Sequence, residues 1–141
     1  MHIATFTDFV QGDKDKIQRL KKNALLKENH VFTAADLTGQ PEADLEDVLG
    51  RNFYVELVNS CYKLKGKNAL PNTKPTAAQS RAVKEVEDHF RTLPNTIPEF
   101  DHYTPCAYLL SNAESLRGNL PEENEALDRF EELFKSLNAL L

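Results

Sequence analysis

With 141 residues, 40% hydrophobic and 28% charged, the chain has the makeup of one ordinary globular domain. Its apolar runs fall far short of the ~20 residues a membrane span needs, and "MHIATFTDF" lacks a basic region followed by a long apolar segment, so the expectation is a cytoplasmic protein without membrane anchor. A formal charge of −5 argues against a purely electrostatic nucleic-acid binder, although lysine and arginine gather in "DKDKIQRLKK" and between Lys63 and Arg91, while "PEENEALDRFEELFKSLNALL" has an acidic polar face.

In chain order, "HIATFT" alternates and mixes β-branched with aromatic residues, which predicts a short buried strand over His2 to Thr7 with Asp8 just past its end. In "VQGDKDKIQRLKKNALL", Gly12 marks a turn, Asp13 is placed to cap, and Ile17, Leu20 and Ala24 share a helical face with Leu25 beside it. "KENHVFT" supplies a connection and a second strand around His30 to Thr33. Two strands joined by a helix run parallel with a right-handed crossover and end at one sheet edge. The loop "AADLTGQP" is then expected to carry "EADLED" to the neighbourhood of Asp8, outside the carboxyl ends of the strands where ligands bind open sheets.

From Asn52 onward the pattern is helical. Phe53, Leu57, Cys61 and Leu64 form a stripe broadened by Tyr54, Val58 and Tyr62. "KGKNALPNTKPTAAQS" reads as a loop and as a hinge, dividing a 1–65 α/β unit from a helical region over 66–141 packed on it, unless the two form a single domain. A helix lined by Ala82, Val83, Val86, Phe90 and Leu93 runs from about Ala77 to Thr92. "PNTIPEFDHYTP" is too proline-rich for regular structure. Thr104 followed by Pro105 signals a cap, and Asn119 to Pro121 repeats the device before a last helix with Leu127, Phe130, Leu133, Phe134, Leu137 and Leu141 on one face. Cys61 and Cys106 lie in apolar helical patterns without CxxC spacing and read as reduced core residues. The fold class expected is α/β and helix-rich, a short parallel β-α-β unit followed by a helical C-terminal part.

The residues fit for chemistry begin with Asp8, Asp44 and Glu46, with Glu42 and Asp47 as neighbours. Mg²⁺ takes hard oxygen ligands at ~2.0–2.1 Å and keeps several waters, so carboxylates from separate loops can hold it. Two such ions ~3.5–4 Å apart can clamp the attacking and leaving oxygens of phosphodiester cleavage. The local alternative is that acids favour a helix start by roughly 0.3–1 kcal/mol each through unpaired N–H groups and the macrodipole. Lys84 and Arg81 come next, because a lysine near a metal-bound phosphate stabilises charge on the leaving oxygen. Against that, Lys84 stands four residues before Asp88, where an exposed ion pair needs no function. His102, in "FDHYTP", reads as a packed structural histidine. Phosphate-loop glycines, G-x-S-x-G, H-E-x-x-H and C-x-x-C are all absent.

The segments "IATFTDFVQGDKDKIQRL", "EADLEDVLGRNFYVELVN", "RAVKEVEDHF" and "FDHYTPCAYLL", in that order, resemble the C-terminal region of the OLD-family ATP-dependent endonucleases, which carry a TOPRIM domain. The similarity runs over about Ile3 to Leu110 and is most specific in "EADLEDVLGRNFYVELVN". The resemblance implies a parallel sheet flanked by helices whose acids hold Mg²⁺ or Mn²⁺ for cleaving DNA. Asp8 resembles the first aspartate of the family's D-x-D at a strand end, Asp44 and Glu46 resemble its later acidic pair, and Lys84 resembles a lysine that assists catalysis. Val10 stands where the second aspartate is expected, and the family's upstream glutamate and ATPase domain have no counterpart in a chain that begins at Met1. The expectation is therefore a fragment or subunit of a TOPRIM DNA endonuclease with an incomplete, weak metal site, whose enzyme status stays open. The alternative is a non-catalytic helical interaction module that pairs with a partner chain or a second copy through an open sheet edge. A third reading is a small helical DNA binder that uses the basic loop from Lys63 to Lys74.

Overall fold

A computed structural model describes residues 3–22, 28–72 and 81–140. The two strands, β1 (Thr5–Thr7) and β2 (Val31–Thr33), pair in parallel with Thr5 opposite Val31 and Thr7 opposite Thr33. Helix α1 (Lys14–Lys21) lies between them in sequence, with Ile17 buried. This is the parallel α/β unit expected from the alternation, and the rest of the described chain is helical. Both strands are shorter than their apolar patterns suggested. Ile3 and Ala4 lie outside β1, and His30 closes a 3-10 turn over Glu28–His30, where its buried Nδ1–H donates to the Ile3 carbonyl at 2.8 Å. Ala24 and Leu25, expected on the α1 face, lie outside the described residues, as do His2 and the stretch 73–80 of the lysine- and proline-containing loop.

The segment expected to be a loop after β2 contains a helix, α2 (Ala34–Thr38). Thr33 accepts from the Asp36 N–H at 3.2 Å while Asp36 accepts from the Thr33 N–H at 3.0 Å, a reciprocal cap that satisfies two helix-start donors. Gly39, at φ +68, ends it in the left-handed region. An antiparallel bridge then ties Phe9 to Ala43 through two backbone bonds of 2.8 and 2.9 Å. That bridge sets Asp8 beside the start of α3 (Leu45–Leu49).

Gly50, at φ +93, separates α3 from α4 (Arg51–Cys61), whose Phe53, Tyr54, Val55, Leu57 and Val58 are all buried. Helix α5 (Ala82–Phe90) adds Ala82, Val83 and Val86 to the same core. It starts five residues later than the pattern's Ala77, since Arg81 is extended and 77–80 lie outside the described residues. The cap before α6 (Tyr103–Ser111) is Asp101 rather than Thr104: its carboxylate accepts from the Thr104 N–H at 2.8 Å and the Thr104 hydroxyl at 2.6 Å. After the short α7 (Ala113–Leu116), helix α8 (Glu123–Asn138) begins beyond Pro121, with Glu122 at φ +59. Helix α8 packs on α2 and α3, and the main core draws on both halves of the chain, from Phe53 to Ala126. Cys106 is exposed and Cys61 half-buried, so only the latter sits near the core its pattern implied.

Candidate functional site

The acidic segment at the start of α3 is where β1, α3, α5 and the loop before α6 meet, and every acid in "EADLED" has a partner from this chain. The Glu42 carboxylate accepts the Gln11 N–H at 2.8 Å. Asp44, only 5% exposed, accepts from the Arg81 Nε–H at 2.8 Å. Asp47, 3% exposed, takes two backbone donors on its two oxygens, the Asp44 N–H at 2.8 Å and the Ala82 N–H at 2.9 Å. One carboxylate thus caps α3 at its own start and α5 at its own start. Glu46 faces outward to His102, whose Nδ1 lies 3.4 Å from it while Nε2 lies 3.5 Å from Glu87.

Electrostatics follow this burial. Asp47 is pushed up to about 6, because losing water costs its charge more than the two N–H donors return, and Asp44 and Glu46 add repulsion. The hydrogen bond from Arg81 to Asp44 raises the guanidinium above its already high value. The Tyr54 hydroxyl, buried without a hydrogen-bond partner close to these carboxylates, is raised strongly by burial first and by Glu46 next.

The sequence-predicted ligands are thus brought partly together. Asp8, exposed at the end of β1, accepts the Leu45 N–H at 2.7 Å and so stands beside the start of α3, next to the Phe9–Ala43 bridge. Asp44 turns to Arg81 and Glu46 to His102, on different partners. Lys84 is exposed on α5, and Asp88 pairs with Arg91 at 2.5 Å. Among the described residues no three His, Cys, Asp or Glu side chains form a group that could hold a metal ion. In this arrangement one oxygen of Asp44 is engaged by the Arg81 guanidinium and one oxygen of Asp8 by the Leu45 N–H.

Two residues that matter here had no signal in the local pattern. Arg129, on α8, donates from Nε to the Val48 carbonyl at 2.7 Å, placing a cation at the C-terminal end of α3 where the helix dipole favours it. Glu122 accepts from the Asn52 side-chain amide at 2.7 Å and the Asn52 N–H at 3.3 Å, fixing the approach to α8 against the start of α4. Helix α2 was missed because the segment reads as a loop, and the signals that could have found it are the Thr33-x-x-Asp36 cap and the Gly39 stop. No described helix is long and apolar enough to cross a membrane. No family model, no curated protein and no solved structure matches this chain.

Proposed function

We propose that this chain is a non-catalytic protein-interaction module in which the acidic segment is a structural clasp. The observation that carries this reading is the Asp44–Arg81 ion pair beside Asp47, whose oxygens cap two helices at once. The burial and pairing of these side chains are accounted for by N–H groups and a guanidinium of their own chain, with no bound cation needed to explain them. The test is to titrate Mn²⁺ into isotopically labelled protein and follow the amide resonances of Asp8, Asp44 and Glu46. The module reading expects no selective broadening at millimolar metal, and selective broadening at all three would overturn it.

A second reading has one observation in its favour. The parallel register of β1 and β2, with the Phe9–Ala43 bridge, delivers Asp8 to the start of α3. On that reading the chain is part of an OLD-like TOPRIM endonuclease that cuts DNA with Mg²⁺ or Mn²⁺, using Asp8, Asp44 and Glu46 as ligands and Lys84 as the charge-stabilising lysine. It expects the opposite result in the same titration, together with Mn²⁺-dependent nicking of duplex DNA that Lys84→Ala slows.

A further inference from the structure

Outside the carboxyl ends of β1 and β2 lies a cavity of about 220 Å³ that no residue of the acidic segment borders. Three parts of the chain close it: Phe9 just past β1, one face of α1, and the turn from β2 into α2 through Thr33, Ala35 and Asp36. Lys14, Gln18 and Lys21 recur along α1 at i, i+4 and i+7, so a single helix face brings two ammonium groups and an amide to the same space. Buried Ile17 and half-buried Phe9 give that space apolar walls. The crevice at the carboxyl ends of parallel strands is where open α/β sheets take their ligands.

The charge in this cavity does not cancel. Lys14 and Lys21 stand against Asp36 alone, whose Oδ2 already accepts the Thr33 N–H at 3.0 Å and the Thr33 hydroxyl at 2.7 Å. Among the described residues neither lysine has an ion-pair partner and the Gln18 side chain has no hydrogen bond. Lys21 is also half-buried, and a cation drawn out of water without a counter-charge is costly, a cost that an anion in the cavity removes. Two separate ammonium groups and an amide suit an anion with two charges and several oxygens, which lysine binds as a point charge; a carboxylate brings one charge in one plane. Its volume falls below the ~300–1,000 Å³ of drug-sized sites, which limits the occupant to a small molecule and not a run of nucleic-acid backbone.

We propose that this cavity binds a small phosphate monoester, with the phosphate among Lys14, Gln18 and Lys21 and the organic group against Phe9 and Ile17. The inference goes beyond the module reading and stands apart from it, since none of Asp8, Asp44 and Glu46 lines this cavity.

The probe is phenyl phosphate, titrated into the isotopically labelled full chain while the amide resonances of Gln18, Lys21, Thr33 and Ala35 are followed. Saturable shifts at these positions are expected, with a Kd below ~1 mM. Lys14→Gln and Lys21→Gln are each expected to weaken binding ~5-fold or more, with circular dichroism checking the fold. Lys14 is exposed, so its variant carries the test alone should Lys21→Gln unfold. Arg19→Gln, at an exposed position of α1 outside the cavity, should leave affinity within ~2-fold, because solvent and salt screen a charge that makes no contact. Inorganic phosphate, without a ring to bury, and benzoate, with a single charge, should each bind at least ~3-fold more weakly than the ester. No saturable shift at about 10 mM phenyl phosphate, benzoate binding equally well, or equal losses from all three substitutions would overturn the proposal. So would inorganic phosphate matching the ester, which makes the site one for the free ion. A single-stranded oligonucleotide that binds more tightly, and loses affinity equally with every substitution, would overturn it in favour of a nucleic-acid surface on α1.

Discussion

Asp47 concentrates the chemistry of the acidic segment in one side chain. It is buried, it caps two helices, and its carboxyl is held at about 6 instead of 3.8 chiefly by the loss of water. A group whose folded value is raised binds its proton more readily folded than unfolded. Its contribution to stability is therefore complete below about 3.8 and is lost as the pH rises through about 6. The difference amounts to about 3 kcal/mol at most, from ~1.4 kcal/mol per unit. Asp47→Asn removes the titration while keeping a side chain of the same shape that offers only one acceptor for two N–H donors. Urea unfolding of both proteins at pH 4 and pH 7 should show the wild type ahead by more at pH 4 than at pH 7. A gap that does not change with pH would mean the carboxyl titrates in its ordinary range.

Between elements, the junction of α3, α4 and α8 depends on Gly50. Its φ of +93 already disfavours a side chain, and a Cβ there would stand 2.5 Å from Glu122 Oε2 and 2.9 Å from Arg129 Nη2. These two side chains hold α8 to the start of α4 and the end of α3, so the glycine is a point of close approach and not merely a turn. Gly50→Ala should cost about 2–3 kcal/mol in chemical denaturation, from backbone strain and the displaced carboxylate. Adding Glu122→Ala should cost less in the Gly50→Ala background than in the wild type, since part of that contact is already lost. Additive losses would place the whole effect in the backbone. Caps work at the same scale: Asp101 and the Thr33–Asp36 pair start helices where the chain's periodicity alone does not say which residue begins the turn.

For the molecule as a whole, the main core runs from α4 through α5 to Leu120 and Ala126, and α8 packs on α2 and α3. Burial shared in this way couples the α/β segment to the helices that follow. Calorimetry should record one cooperative transition, with its van't Hoff and calorimetric enthalpies equal. Two resolved transitions would mean that the segments before and after the lysine-rich loop unfold independently. Local periodicity was enough to read the parallel strand pair, the helical second half and the core faces of α4 and α5, because alternation and 3.6-residue spacing are set by backbone geometry within a few residues. The helix in "AADLTGQP" reads as a loop, because its five residues are too few to show a helical period. What the charge of "EADLED" said was only that these acids need donors. That Asp44 finds Arg81, 37 residues on, and that Asp47 finds the first N–H of α5 were decided by tertiary packing. The physical reason is range: a cap or a stripe acts within a turn or two of chain, whereas the partner of a buried carboxylate is whichever donor folding carries within about 3 Å of it.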